Sequence, residues 1–184
     1  MTDDKTALLV MDVQPGIVDM IADRDTYIKN IKAAVDTAHQ RKIPVIYVVV
    51  GFRPGRPEIS RRNQSFGSMQ AANPDPMINP QPVIEPAEGD IVVTKRRVSA
   101  FTGSDLAVVL SGQGVGHLVL AGIATSGVVL STVREAADKD YQLTVLSDLC
   151  ADRDDAVHRV LTEKVFPRQA TVTTSTEWLK SLGS

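Results

Sequence analysis

The sequence is poor in the residues that build disulfides and metal sites. It contains one cysteine, Cys150, and three histidines, His39, His117 and His158, among 184 residues. A single cysteine excludes a disulfide within the chain and makes a cytoplasmic location the default expectation. None of the histidines has the spacing of metal ligands, so we predict neither a metal site nor another cofactor.

The sequence also lacks a strong charge imbalance and long apolar runs. The net charge is −2, which gives no argument for a nucleic-acid or anionic-membrane partner. No apolar run reaches the roughly 18 residues of a membrane span, and the polar residues from Met1 to Lys5 are not typical of a secretory signal. Aromatic residues make up only 4% of the chain. We therefore expect one globular domain over residues 1–184, with a core of Val, Leu, Ile and Ala.

What the sequence does contain is a regular alternation of two patterns. Short apolar runs predict strands, and apolar residues at helical spacing predict helices between them. The predicted strands are Thr6–Met11, Ile43–Val50, Asp90–Lys95, His117–Ala121, Gln142–Leu146 and Ala170–Thr173. The predicted helices are Arg24–Gln40, Ser104–Ser111, Ser126–Lys139, Asp154–Val165 and Thr176–Leu182. The alternation predicts a three-layer α/β/α fold with a six-stranded, mostly parallel, Rossmann-like sheet, for which we choose the order 3-2-1-4-5-6.

One long segment, residues 51–90, interrupts this alternation. It holds seven of the ten prolines and the arginines Arg53, Arg56, Arg61 and Arg62. We interpret it as a folded excursion over the carboxyl edge of the sheet, because predicted strands lie on both sides of it. Two roles stay open for the arginines, a solvated surface or the binding of substrate carboxylates. Arg53, directly after a strand, is the preferred candidate for binding.

Three functional groups follow predicted strands. Asp12 ends the first strand, Lys95 ends the third, and a turn of small residues at 122–128 follows the fourth and opens a helix. The carboxyl edge of a parallel sheet can bring such groups together. Alone, Asp12 could be a turn residue, and Lys95, followed by two arginines, could belong to a solvated face. Together with the turn they favour an acid–base pair beside an anion-binding backbone.

Three segments, 8–14, 93–101 and 122–136, carry a family resemblance in their sequence, order and spacing. Through them the chain resembles the isochorismatase-like, or cysteine hydrolase, superfamily over nearly its whole length. The resemblance implies a small-molecule substrate and a homodimer or a larger homo-oligomer.

The resemblance also assigns roles to individual residues. Asp12 would donate or accept the proton, and Lys95 would hold Asp12 and polarise the substrate. The N–H groups of Ala124 and Val128 would form an oxyanion hole after a cis peptide between Ile123 and Ala124. The residues that would bind substrate are Gln14, Arg53, Phe101, Ile123 and Thr125.

Two departures from the family pattern limit the chemistry. Val128 stands where amidase members carry the nucleophilic cysteine, and valine has no lone pair with which to attack a carbonyl. The segment after the second strand, residues 51–56, lacks the Asp-x-His of nicotinamidase members, which again predicts that no metal is bound.

Three functions therefore remain open. The first follows from the resemblance to isochorismatase members that also lack the cysteine and cleave a vinyl ether to release pyruvate: it is a hydrolase without a thiol nucleophile that acts on a small carboxylate-bearing substrate, with Asp12 as the general acid. The second is an inactive family member that binds a small molecule or a partner, as Val128 suggests. The third is an amidase that uses Cys150, although a lone cysteine is more often a small buried hydrophobe.

Overall fold

The computed structural model describes residues 5–69 and 75–183. Residues 1–4, which hold most of the acidic N-terminus, and Pro74 lie outside the described part. The six strands are β1 (Lys5–Met11), β2 (Val45–Val50), β3 (Ile91–Lys95), β4 (Val115–Ile123), β5 (Gln142–Ala151) and β6 (Thr171–Thr173). All pairings are parallel and the order is β3-β2-β1-β4-β5-β6, which confirms the predicted topology.

Helices cover both faces of the sheet. They are α1 (Arg24–Gln40), α2 (Leu106–Gln113), α3 (Leu130–Asp138), α4 (Asp155–Val160) and α5 (Ser175–Ser181). One buried apolar cluster joins the sheet to α2 and α3, and a second joins it to α1 and α5. Alternate residues of β1 enter opposite clusters, because successive strand side chains point to opposite faces. In the described part of the chain, no helix combines the length and apolarity of a membrane span.

Several element boundaries differ from the predictions. The helix predicted from Ser104 begins at Leu106, because the Ser104 hydroxyl donates to the Ala100 carbonyl over 2.6 Å and shapes the turn before the helix. The helix predicted from Ser126 starts as a π-helical turn over Thr125–Val129 and becomes α-helical at Leu130. Similarly, α4 continues as a π-helical turn over Leu161–Val165.

The strand predicted to end at Leu146 continues to Ala151. The pairing of β4 with β5 shifts register between Leu120 and Gly122, so that Gly122 pairs with Cys150. This irregularity lets β5 run on beside the end of β4. The carboxyl end of β5 therefore flanks the turn that follows β4.

The excursion at 51–90 contains no helix or strand in its described residues, 51–69 and 75–90. Arg56 binds the carboxylate of Asp75 through two nitrogens, at 2.9 and 2.7 Å, and both side chains are nearly buried. The Phe52 and Phe66 rings pack edge to face at 5.6 Å. The Val83 N–H donates to the Val13 carbonyl over 2.8 Å, which ties the excursion to the chain directly after β1.

Candidate active site

The centre of the candidate site is an ion pair between residues that end two strands. Asp12 follows β1 and has a left-handed backbone with φ of 55°, and its N–H donates to the Val48 carbonyl over 2.7 Å. Lys95 is the last residue of β3, two strands away, and its Nζ lies 2.9 Å from Oδ2 of Asp12. Only 6% of Asp12 and 1% of Lys95 is exposed. The sheet order therefore brings the predicted pair together below the surface.

The Lys95 ammonium makes three polar contacts. Besides Asp12, it donates to the carbonyl oxygens of Arg97 at 3.0 Å and Val98 at 3.1 Å. An ammonium has three N–H donors, so these acceptors account for all of them. Lys95 thus has no spare N–H for a substrate in this arrangement, and it acts on the site through its charge and through Asp12.

The second oxygen of Asp12 is buried and unpaired. Among the described residues, Oδ1 has no hydrogen-bond partner. Burial raises the pKa of Asp12 from 3.8 to about 6, against the opposing effect of the nearby Lys95 ammonium. A carboxyl group of this pKa exchanges its proton close to neutral pH, as a general acid or base requires. Oδ1 is the atom from which that proton would be delivered.

The turn after β4 lies beside Asp12. Met11 pairs with Gly122, and the Ile123–Ala124 peptide is cis, as the resemblance implies. Gly122 has φ of 155°, and a Cβ at this position would overlap the Met11 carbonyl. Only glycine therefore lets the two strands approach so closely.

Asp152, directly after β5, and His158 of α4 hold this turn in place. The Ser126 N–H donates to Oδ2 of Asp152 over 2.7 Å, and Thr125 Oγ1 shares a hydrogen bond of 2.8 Å with Nδ1 of His158. The sequence reading assigned Asp152 and His158 no role in the site. Along the chain, Asp152 is 26 residues from Ser126 and His158 is 33 residues from Thr125. Contacts between residues so far apart are not predicted by any short sequence motif.

Val128, at the position of the missing thiol, is a core residue. It is 2% exposed and belongs to the same buried apolar cluster as Met11, Ala100 and Phe101. Ile123 and Thr125 are also buried, at 2% and 0% exposure. The side chains of Ile123, Thr125 and Val128 are therefore packed in the protein interior.

Gln14 has a backbone role in the structure. Its Oε1 accepts from the Val50 N–H at 2.8 Å and its Nε2 donates to the Val50 carbonyl at 3.1 Å, in a position only 1% exposed. The amide therefore clamps the end of β1 to the end of β2.

The arginines of the excursion are in two different environments. Arg53, with 66% of its side chain exposed, pairs with Glu58 at 2.6 Å. Arg56 is occupied by Asp75 in a nearly buried pair, so its contacts are structural. Arg61 and Arg62 are exposed. The structure therefore leaves Arg53 as a surface arginine and gives Arg56 a role in folding the excursion.

Cys150 is poorly suited to nucleophilic attack. It is 5% exposed, and its Sγ lies 3.9 Å from the Leu120 carbonyl oxygen. Burial raises the pKa of its thiol to about 12. Since the thiolate is the reactive form, this thiol is inert near neutral pH. The described residues contain no group of three His, Cys, Asp or Glu side chains placed to bind a metal ion.

Comparison with known proteins identifies the family. The isochorismatase domain model matches residues 6–177. The chain belongs to the isochorismatase family. Its members are generally hydrolases, and the match spans the sheet from Thr6 in β1 to the end of β6.

The chain is similar to family members from two bacteria and to one plant protein. An isochorismatase family protein of Bacillus subtilis, YwoC, is 32% identical over 97% of this chain and 94% of its own length. A probable inactive nicotinamidase of Arabidopsis thaliana is 32% identical over 83% of this chain and 84% of its own. A solved isochorismatase family protein of Burkholderia thailandensis superposes with a TM-score of 0.81 at 28% identity, over 98% of this chain and 96% of the other.

Proposed function

We propose that the protein is a hydrolase that works without a covalent thiol intermediate, with Asp12 as its general acid and a small carboxylate-bearing vinyl ether as its substrate. The observation that carries the proposal is the hydrogen bonding of the buried Asp12 carboxyl group together with its raised pKa. Its Oδ2 is paired with Lys95 while its buried Oδ1 has no partner among the described residues. The pKa of about 6 allows the protonated form near neutral pH.

The proposed reaction balances without a nucleophilic side chain. Asp12 transfers its proton to the terminal carbon of the enol ether, which becomes a methyl group, and an oxocarbenium ion forms at the neighbouring carbon. Water adds to this cation and returns a proton to the Asp12 carboxylate. The resulting hemiketal breaks its C–O bond to release pyruvate and an alcohol. The Lys95 charge stabilises the carboxylate left after the first step.

Two features support a site of this kind. The buried apolar side chains of Val128 and Phe101 limit the access of bulk water to the proposed site. The backbone N–H groups of Ala124 and Val128 in the turn are the proposed donors to the substrate carboxylate, which is negatively charged throughout the reaction. Arg53 is the proposed exposed contact for the substrate carboxylate, in exchange for Glu58.

A second candidate is an inactive member that binds a ligand through the same site. The observation in its favour is that Val128 packs as a core residue where the amidase members carry the attacking thiol. One relative is a probable inactive nicotinamidase, so loss of activity is a proposed outcome for this lineage too. This candidate predicts saturable binding without product.

Mass spectrometry of pyruvate release distinguishes the two candidates. The purified protein is incubated with isochorismate and a panel of simpler vinyl ethers and amides. We expect pyruvate from a vinyl ether, abolished by Asp12→Asn and retained by Asp25→Asn, which removes an exposed carboxylate on α1. Turnover that survives Asp12→Asn would exclude Asp12 as the acid. Saturable binding with no pyruvate would favour the inactive candidate.

A further inference from the structure

The carbonyl groups that hold Lys95 lie in a segment without regular secondary structure. Residues 96–105 connect β3 to α2 and form neither helix nor strand. Arg97 and Val98 in this segment provide two of the three acceptors of the Lys95 ammonium. No strand or helix fixes the direction of these two carbonyls. Contacts made elsewhere in the segment must therefore set their positions.

Several of those contacts lead to α3, while the side chains of Arg96 and Arg97 donate to the carbonyls of Gly51 and Glu58 in the excursion. Oε2 of Glu135 accepts hydrogen bonds from the Ser99 hydroxyl at 2.5 Å and the Thr102 hydroxyl at 3.1 Å. Oγ1 of Thr132, one helical turn earlier, accepts from the Ala100 N–H at 3.0 Å. Ser99 Oγ in turn accepts from the Phe101 N–H at 3.3 Å, so its hydroxyl is fixed from both sides. A carboxylate acceptor makes the two hydroxyl bonds stronger than neutral ones.

We propose that Glu135 is a positioning residue for the Asp12–Lys95 pair, acting through Ser99 and Thr102 to hold the Arg97 and Val98 carbonyls against the Lys95 ammonium. The inference deepens the proposed function, since it matters for catalysis only if Asp12 is the acid. The coupling itself does not depend on any reaction. Helix α3 directly follows the turn at Ala124–Val128. The same helix therefore adjoins the turn and, through Glu135, helps to position the two carbonyls that accept hydrogen bonds from Lys95.

The alternative is that Glu135 is an ordinary exposed partner of Lys139. Those two side chains are four residues apart, with N···O of 3.7 Å and exposures of 31% for Glu135 and 43% for Lys139. Ion pairs of this kind contribute little. Lys139 approaches Oε1, whereas both hydroxyl groups bind Oε2. The carboxylate oxygen that faces the segment is thus separate from the one that faces the lysine.

Carbon-detected NMR of the Asp12 carboxyl group tests the proposal without any substrate. The resonance is assigned by its loss in Asp12→Asn, and its pH midpoint is followed in three variants. Lys95 is the charged group that lowers the pKa of Asp12 by Coulombic interaction and hydrogen bonding. In Glu135→Ala the carbonyls of Arg97 and Val98 are held less firmly, so the Lys95 ammonium spends more time away from Asp12. We therefore expect the pH midpoint of Asp12 to rise by about half a pKa unit or more.

Two matched variants separate positioning from general effects. Glu135→Gln keeps an acceptor oxygen for both hydroxyl groups, so its midpoint should stay at the wild-type value. Asp138→Ala removes an exposed carboxylate from the same helix and should also leave the midpoint unchanged. An unchanged midpoint in Glu135→Ala would overturn the proposal, and so would an equal rise in Asp138→Ala, which would mark a general loosening of α3 rather than the loss of the Glu135 contacts.

A second route keeps the test valid if Glu135→Ala does not fold. The double variant Ser99→Ala with Thr102→Val removes the same two hydrogen bonds from the opposite side and should raise the midpoint in the same way. An unshifted midpoint there would also reject the inference. If the midpoint shifts but no vinyl ether is cleaved, the proposed function fails while the positioning role stands.

Discussion

The Nζ atom of Lys95 lies 2.9 Å from Oδ2 of Asp12, although the two residues end strands that are separated in the sheet by β2. The lysine side chain spans the end of β2 to reach the carboxylate. Both groups are withdrawn from water, and burial outweighs the lysine in setting the pKa of Asp12. The pair is therefore poised between its ionised and neutral forms.

The raised pKa of Asp12 predicts a pH dependence of stability. The folded state holds the Asp12 proton more tightly than the unfolded state, in which the pKa of Asp12 is 3.8. Protonated Asp12 therefore stabilises the folded state fully below pH 3.8, and this stabilisation is lost as the pH rises through about 6. The shift corresponds to a loss on the order of 3 kcal/mol. Urea unfolding of wild type and Asp12→Asn from pH 4 to 7 measures it. The wild type should lose stability relative to the variant across this window; parallel curves would contradict the assigned shift.

Gln14 is expected to stabilise the folded protein through its two hydrogen bonds to the Val50 backbone. Gln14→Met keeps the side-chain volume but leaves the buried N–H and carbonyl of Val50 without partners. We expect a loss of about 2–4 kcal/mol in the free energy of unfolding, measured by denaturant titration. Gln40→Met, on the exposed end of α1, is the control and should change little. A fully stable Gln14→Met protein with weakened ligand binding would instead identify Gln14 as a binding residue.

Cys150 should resist alkylation in the folded protein. With a pKa of about 12, only about 10⁻⁴ of the thiol is ionised at pH 8. Intact-mass spectrometry after iodoacetamide treatment should detect no adduct in the native state and one adduct in denaturant. Cys150→Ser should remain unlabelled in both conditions. Rapid labelling of the native protein would reopen the possibility of a thiol amidase.

Val128 should behave as a core residue. Val128→Ala removes two buried methyl groups, which we expect to cost about 2 kcal/mol of unfolding free energy. Val128→Cys restores the family residue with a smaller volume change and should cost under about 1.5 kcal/mol. Val108→Ala, at a position 74% exposed, is the matched control and should be nearly neutral. A neutral Val128→Ala would mean that this position is not packed.

Arg56 is predicted to hold the excursion together. Arg56→Lys keeps the charge but loses the two-pronged contact with Asp75. We expect limited proteolysis by chymotrypsin to cleave residues 51–69 several-fold faster than in wild type, with the sheet left intact. Arg61→Lys, which alters an exposed arginine of the same segment, serves as control. Equal cleavage rates in the two variants would show that the Arg56 contact does not limit opening.

The fold was largely predictable because apolar, β-branched strands alternate with helices, and the three family segments carry Asp12, Lys95 and the turn. The continuation of β5 to Ala151 was not, since Ser147 and Asp148 are polar. Their side chains are satisfied by neighbouring elements instead: Ser147 donates to the Thr173 carbonyl, and Asp148 accepts from Ser175. Polarity alone does not reveal such partners.

Some site residues gave a misleading signal or none. A glutamine such as Gln14 has the same sequence pattern whether its amide faces a substrate or, as here, the backbone of Val50. Glu135 lies on an amphipathic helix, where a carboxylate usually faces solvent. Its contacts with Ser99 and Thr102 depend on the path of an irregular segment, and sequence spacing carries no information about that path.

The strand order has a consequence for how the protein is made. The half-sheet β3-β2-β1 is contained in residues 5–95, and the other half, β4-β5-β6, comes from the chain after it. Asp12 and Lys95 both belong to the first half, whereas the turn after Ile123 belongs to the second. During synthesis from the N-terminus, the acid–base pair can assemble while one edge of β1 still awaits β4. The arrival of β4 then closes that edge and brings the turn beside Asp12, while α3, β5 and α4 follow later in the chain.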